Sequence, residues 1–162
     1  YWYTDEWRAD GRHDALSLSI HDINRWMFGS KLRDSRCRLA IIEIDPSVLW
    51  THDCRFCWTN AASGAVINHK GFLGGPWGFD RMFEDCQVSM IDTRMRRETF
   101  GKPPNMPTHA DAEVQVFTPL HPDLLIDITV ASDSDRVELE AWMEANDCSK
   151  PVVVVPSVFL TR

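Results

Sequence analysis

The run Thr108–Phe117, THADAEVQVF, places one acidic residue in a strand-like alternation. Strand side chains point to opposite faces in turn, so Ala112, Val114 and Val116 share one face and Glu113, Gln115 and Phe117 the other. A carboxylate held on such a face can stabilise positive charge that develops at a reacting centre, although a Glu on a half-exposed strand can also be merely solvated. Further back stand Arg8 and the hydroxyls of Ser17 and Ser19, giving an early Arg, a hydroxyl-bearing strand and a late strand with one Glu. A second candidate is His52-x-Cys54-x-x-Cys57, whose imidazole and thiolates are zinc donors. A zinc site needs a fourth ligand and no second C-x-x-C answers it, so two buried thiols beside Phe56 and Trp58 are the alternative, and no metal is expected. A Cys–His or Ser–His nucleophile has no G-x-S-x-G elbow to support it. GFLGGPWG lacks the Lys-Ser/Thr ending of a P-loop and a clean strand before it.

These residues need elements to position them. Ala15–Ile20 alternates apolar residues with hydroxyls and reads as a half-buried strand that carries Ser17 and Ser19. Asp22 is placed to cap a short helix over Ile23–Phe28, ended by Gly29. Leu39–Ile44 is an apolar strand stopped by Asp45-Pro46, and Pro46–Trp50 suits one helical turn. Cys54–Gly64, CRFCWTNAASG, reads as a loop after aromatic anchors, and Gly71–Gly78 as irregular. Phe79–Cys86 fits a short helix and Val88–Asp92 a strand. Thr93–Pro107 is a long basic loop, of the kind that often carries function. Leu124–Ala131 and Val152–Val155 are apolar strands. Between them Ser134–Ala145 is a helix with Val137, Ala141 and Trp142 on one side. Strands with segregated short helices give an α+β pattern, expected as one domain over 1–162.

The 162 residues can bury a real core, and 44% hydrophobic content with seven Trp argues against disorder. No apolar run approaches the roughly 20 residues of a membrane helix. Five Cys without scaffold spacing suit a reducing compartment, and a cytoplasmic location is expected. A net charge of -7 does not advertise nucleic-acid binding in bulk. Yet Lys31, Arg33, Arg36 and Arg38 crowd one segment and Arg94, Arg96 and Arg97, followed by Lys102, another. Such patches are either phosphate contacts or solvated surface.

The segments DEWRADGRHDALSLSIHDINRWMF, IDPSVLW, DCRFCWTNAASG and PTHADAEVQVF follow one another in the order and rough spacing of the DarT-type ADP-ribosyltransferase toxins. The chain resembles that family over most of residues 4–130, most specifically at TNAAS and AEVQV. The resemblance implies an ADP-ribosyltransferase-like split mixed β-sheet core and an NAD-dependent transfer of ADP-ribose to bases of single-stranded DNA. It also implies a role as a toxin or phage-defence effector held in check by a macrodomain antitoxin. Glu113 matches the catalytic Glu and Arg8 the NAD-binding Arg, whose fork of donors clamps the pyrophosphate. Ser17, Ser19 and Asn24 match the strand and turn lining the NAD cleft. Thr59, Asn60 and Ser63 match the loop that shapes the cleft or the substrate side. Arg94, Arg96, Arg97, Lys102 and His109 fall in the segment that reads the acceptor, and Trp77 and Phe100 could stack on unpaired bases, with packing in its Gly-rich loop an equal reading for Trp77. Two departures are visible: the family's upstream segment, with a His that contacts NAD, is expected to be absent, and Ile23-Asn24-Arg25 stands where the family has Pro-Asn-Tyr.

Other readings compete. The same fold could act on RNA or protein, the cleft could be a catalytically silent module for nucleotide or nucleic acid, or the chain could be a small zinc protein.

Overall fold

A computed structural model describes residues 9–33, 38–87, 94–99 and 101–160. In chain order they form β1 (Leu16–Leu18), α1 (Arg25–Leu32), β2 (Ile41–Ile44), α2 (Val48–Thr51), β3 (Cys54–Cys57), α3 (Gly64–Ile67) and α4 (Gly75–Arg81). Then follow β4 (Cys86–Gln87), β5 (Arg94–Met95), β6 (Glu113–Val116), β7 (Leu125–Val130), α5 (Asp133–Glu144) and β8 (Val152–Val154). The architecture is α+β, with two three-stranded sheets, a two-stranded ribbon and short helices.

Contacts divide the chain into two compact units, Tyr1–Asn24 with Leu49–Pro119 and Arg25–Val48 with Leu120–Arg162. Each unit is assembled from two separated stretches. No shift of composition along the sequence marks such a division, which is why the chain reads as one domain.

In the first unit β6 is the middle strand, antiparallel to β1 on one side and β3 on the other. Val114 lies opposite Leu18 and Phe56, and Gln115 opposite Ser17 and Arg55. Val114, Val116 and Phe56 are buried; shielding each such side chain contributes roughly 1.5–3 kcal/mol. A second cluster joins Cys57, Trp58, Ala61, Val66 and Leu73.

CRFC, expected in a loop, is instead a strand. Cys54 and Phe56 alternate with Arg55, and both edges are satisfied: β6 pairs on one side, and the Phe56 N–H donates to the Leu73 carbonyl at 2.8 Å on the other. The glycine-rich stretch, expected to be irregular, enters α4. Gly75 takes φ 72° just before Pro76, a conformation that glycine adopts without a Cβ penalty. A Cβ on Gly78 would collide with the Leu73 carbonyl, so glycine lets α4 lie against that backbone. The strand expected over Val88–Asp92 lies outside the described residues.

In the second unit β7 is central, antiparallel to β2 and parallel to β8, with α5 as the crossover. Ser132 caps α5, its Oγ accepting from the Asp135 N–H at 3.2 Å. The buried face of α5 is Leu139 and Met143, packed on Ile128, Val130, Val152 and Val154. Val137 and Trp142, expected on that face, are exposed. The spacing of Leu139 and Met143, one helical turn, defines the stripe that meets the sheet. Helix α1 begins at Arg25 and runs through Gly29, which is buried, where an end at Gly29 was expected.

Candidate active site

Apart from the early basic cluster, the candidate residues that can be placed belong to the first unit; Lys31, Arg33 and Arg38 lie in the second, where Arg38 pairs with Asp135 and Glu138. Arg8, Arg36 and Phe100 lie outside the described residues, and for Arg94 only its place in β5 is described. Glu113 opens β6 opposite Cys57. Ser17 faces Gln115 across the sheet, and the pairing ends at Leu18 opposite Val114. Continued by one residue, that register sets Ser19 opposite Glu113. The hydroxyl strand and the carboxylate strand are thus neighbours, and Ser17 and Ser19 are both exposed.

The loop after β3 closes over Glu113. Asn60 organises it: its Oδ1 accepts from the Ala62 N–H at 2.8 Å and its carbonyl from the Ser63 N–H at 2.9 Å. Asn side chains favour such turns because they can bond the backbone two residues on. The turn aims the Ala61 N–H at Glu113, which accepts it through Oε1 at 2.5 Å. This charge-assisted bond fixes the side chain. Asn60 therefore acts through the loop it folds. The Oγ of Ser63 is buried without a hydrogen-bond partner.

A second chain of hydrogen bonds precedes β6. Asn24 Nδ2 donates to Asp111 Oδ1 at 2.6 Å. His109 Nδ1 accepts the Asp111 N–H at 3.0 Å and lies 3.3 Å from Thr59 Oγ1. A main-chain N–H can only donate, so Nδ1 is the acceptor and the neutral ring carries its proton on Nε2. His109 thus offers a donor. It joins the loop that binds Glu113 to the segment leading into β6.

The basic residues divide. Arg97 is committed: Nη1 reaches the Met106 carbonyl at 2.8 Å and Thr108 Oγ1 at 2.9 Å, and Nη2 the Pro103 carbonyl at 2.6 Å. It braces the loop from inside. Arg96 is exposed, and Lys102 Nζ approaches Met106 Sδ at 3.8 Å.

Sequence reasoning missed a polar row under the site. Gln115 is fully buried, takes a hydrogen bond from Arg55 at 3.2 Å and donates to Asp10. Buried amides need such partners. The only hint in sequence is that Arg55 alternates with Cys54 and Phe56. Beyond Gln115, a recess of about 470 Å³ opens between Arg12, Asp53, Arg55, Phe72 and Phe117, within the size range of small-molecule sites.

Cys54 and Cys57, three apart on one strand, face opposite sides of the sheet and cannot converge on one ion. Burial pushes the Cys57 thiol up to about 12 and raises Cys54, so both are thiols at neutral pH. Among the described residues no group of three or more His, Cys, Asp or Glu is placed to hold a metal, and no helix is long and apolar enough to cross a membrane.

Residues 13–160 match the family model described as DarT, ssDNA thymidine ADP-ribosyltransferase. No curated protein matches the chain.

Proposed function

The chain belongs to the DarT family of ssDNA thymidine ADP-ribosyltransferases, and on that premise we propose that Glu113 is the carboxylate that carries the transfer of ADP-ribose from NAD to thymidine in single-stranded DNA. The observation that carries this reading is the bond between Glu113 Oε1 and the Ala61 N–H. It holds a charged carboxylate at the head of β6, beside the hydroxyl strand, and leaves Oε2 for the ligand.

In the reaction the bond between the nicotinamide nitrogen and ribose C1′ breaks, and its electron pair leaves with neutral nicotinamide. A thymine ring nitrogen then bonds to C1′ and gives up its proton to solvent. Positive charge builds on the ribose as nicotinamide departs, and a fixed carboxylate near the ribose 2′-OH stabilises it. Ser17, Ser19 and Asn24 line the NAD side with Thr59 and Asn60, the latter through the loop it shapes. Arg8 clamps the diphosphate. His109 donates Nε2–H on the acceptor side, where Arg94, Arg96 and Lys102 answer the phosphates, and Arg97 holds their loop in shape.

The biological setting follows from the chemistry. A bulky ADP-ribose on a thymine ring nitrogen blocks that base from pairing, so an unrestrained enzyme would harm its own cell. We therefore infer a cytoplasmic toxin or phage-defence effector, restrained by a macrodomain antitoxin that removes the adduct.

The test is intact-mass spectrometry of two single-stranded oligonucleotides, one with thymidine and one without, incubated with protein and NAD. An ADP-ribose adduct confined to the first, and lost with Glu113→Gln, supports the reading. No adduct on either, or equal adducts on both, overturns it.

A further inference from the structure

We propose that Trp77 is a stacking platform for an unpaired base of the DNA acceptor, with Arg81 supplying positive charge for the adjoining backbone; this rests on the DNA-modifying reading above. Trp77 lies in α4 and is 50% exposed. One side of the indole is backed: the His69 ring stacks on it at 5.8 Å and 16° between planes. His69 in turn meets Trp58 edge-on at 5.2 Å, and Trp58 is only 9% exposed. The Arg81 guanidinium lies over both indoles, 4.1 Å from the Trp58 ring centre and 5.4 Å from that of Trp77.

This stack starts beside the reactive carboxylate. Trp58 directly follows Cys57, the residue paired with Glu113, and shares a buried cluster with Ala61, which donates to Glu113. It ends at the surface, on Trp77. Its mount is rigid. Phe79 packs edge-on against Phe56 at 5.5 Å, and Gly78 lies against the Leu73 carbonyl. A fixed aromatic ring beside a guanidinium is what sequence-tolerant single-strand binders use to hold bases.

Steady-state kinetics with a thymidine-containing oligonucleotide, and anisotropy binding of the same labelled oligonucleotide without NAD, test the platform. Trp77→Ala should raise the oligonucleotide KM and Kd roughly tenfold or more, with kcat at saturating DNA little changed. Trp77→Phe, which keeps an aromatic face, should restore most of the affinity, whereas Trp77→Leu should not. Arg81→Gln should reduce the slope of log affinity against log salt by about 0.7, one phosphate's share on a single strand. Trp142→Ala, at an exposed Trp of the other unit, should match wild type. Unchanged KM and Kd in Trp77→Ala overturn the platform, as does equal loss in the Phe and Leu variants. A wild-type protein that binds the strand through Trp77 yet modifies nothing would sink the activity and leave the platform standing.

Discussion

Glu113 and Ala61 are joined by a single short bond, Oε1 to main-chain N–H at 2.5 Å. It serves two ends. It positions the carboxylate, and it pins the loop that begins at Thr59 to the strand that begins at Glu113. Removal of the side chain would therefore disturb the loop as well as the charge.

Glu113→Gln separates the two. The amide oxygen of Gln can still accept from Ala61, so the loop stays closed, but the negative charge is gone. Charge stabilisation by one fixed group is commonly worth 10²–10³ in rate, and we expect kcat for ADP-ribose transfer to fall by about 10³-fold. The unfolding midpoint in urea should stay near wild type. Glu113→Ala should lose activity and also lower stability by about 1–2 kcal/mol, since the Ala61 N–H is left without its partner. Activity of Glu113→Gln within tenfold of wild type would remove Glu113 from the chemistry.

Much of this site is legible in the sequence, and the exceptions have physical causes. The alternation around Glu113 gives the strand and its faces because a period of two is imposed by the pleat. TNAAS is legible as a loop, but its contribution is not, because a backbone N–H donated by Ala61 leaves no mark on the residue type. The strand Cys54–Cys57 is hidden because it has only four residues, and two of these are Cys, which has no strong preference. Asp10, Arg55 and Gln115 form a part-buried row from three distant points of the sequence, so no local window contains it. Arg97 is a plainer case. Among Arg94, Arg96 and Arg97 the sequence shows equal cations, and only the fold distinguishes a side chain that binds its own loop from one facing solvent.

That distinction yields a paired prediction. Arg97 makes three hydrogen bonds, to Pro103, Met106 and Thr108, and its guanidinium lies 5.6 Å from the Phe83 ring. Thr108 is itself buried and tied through its N–H to the Met82 carbonyl at 2.9 Å. Charged hydrogen bonds contribute about 1.5–3 kcal/mol each when made, net of what water supplies in the unfolded chain. These three share one partly exposed side chain and do not add in full, so Arg97→Ala should lower stability by about 2–3 kcal/mol in urea unfolding. Arg96→Ala should change stability by less than about 0.5 kcal/mol. It should instead weaken DNA use and reduce the salt slope by about 0.7. The reverse pattern, with Arg96 structural and Arg97 silent in unfolding, would mean that the loop is held otherwise.

Cys57 allows a prediction about pH. Its side chain is fully buried opposite Glu113. Burial pushes the thiol up to about 12 from an ordinary 9.0; the Arg55 guanidinium pulls it back somewhat, and the carboxylates of Glu113 and Asp10 add to the rise. The folded state thus holds a proton that the unfolded chain releases near pH 9. A raised pKa means that this contribution to stability is complete below about 9 and is lost as pH climbs through about 12. Across that window the loss runs at up to about 1.4 kcal/mol per pH unit. Urea midpoints of wild type and Cys57→Ala, followed from neutral pH into that window, should converge as pH rises, because the variant lacks the group that titrates. Iodoacetamide at neutral pH should label the partly exposed Cys148 before the buried Cys54 and Cys57, and leave Cys57 unmodified until the protein unfolds. Rapid native labelling of Cys57, or a constant gap between the two midpoints, would show that the thiol beside Glu113 is not held neutral.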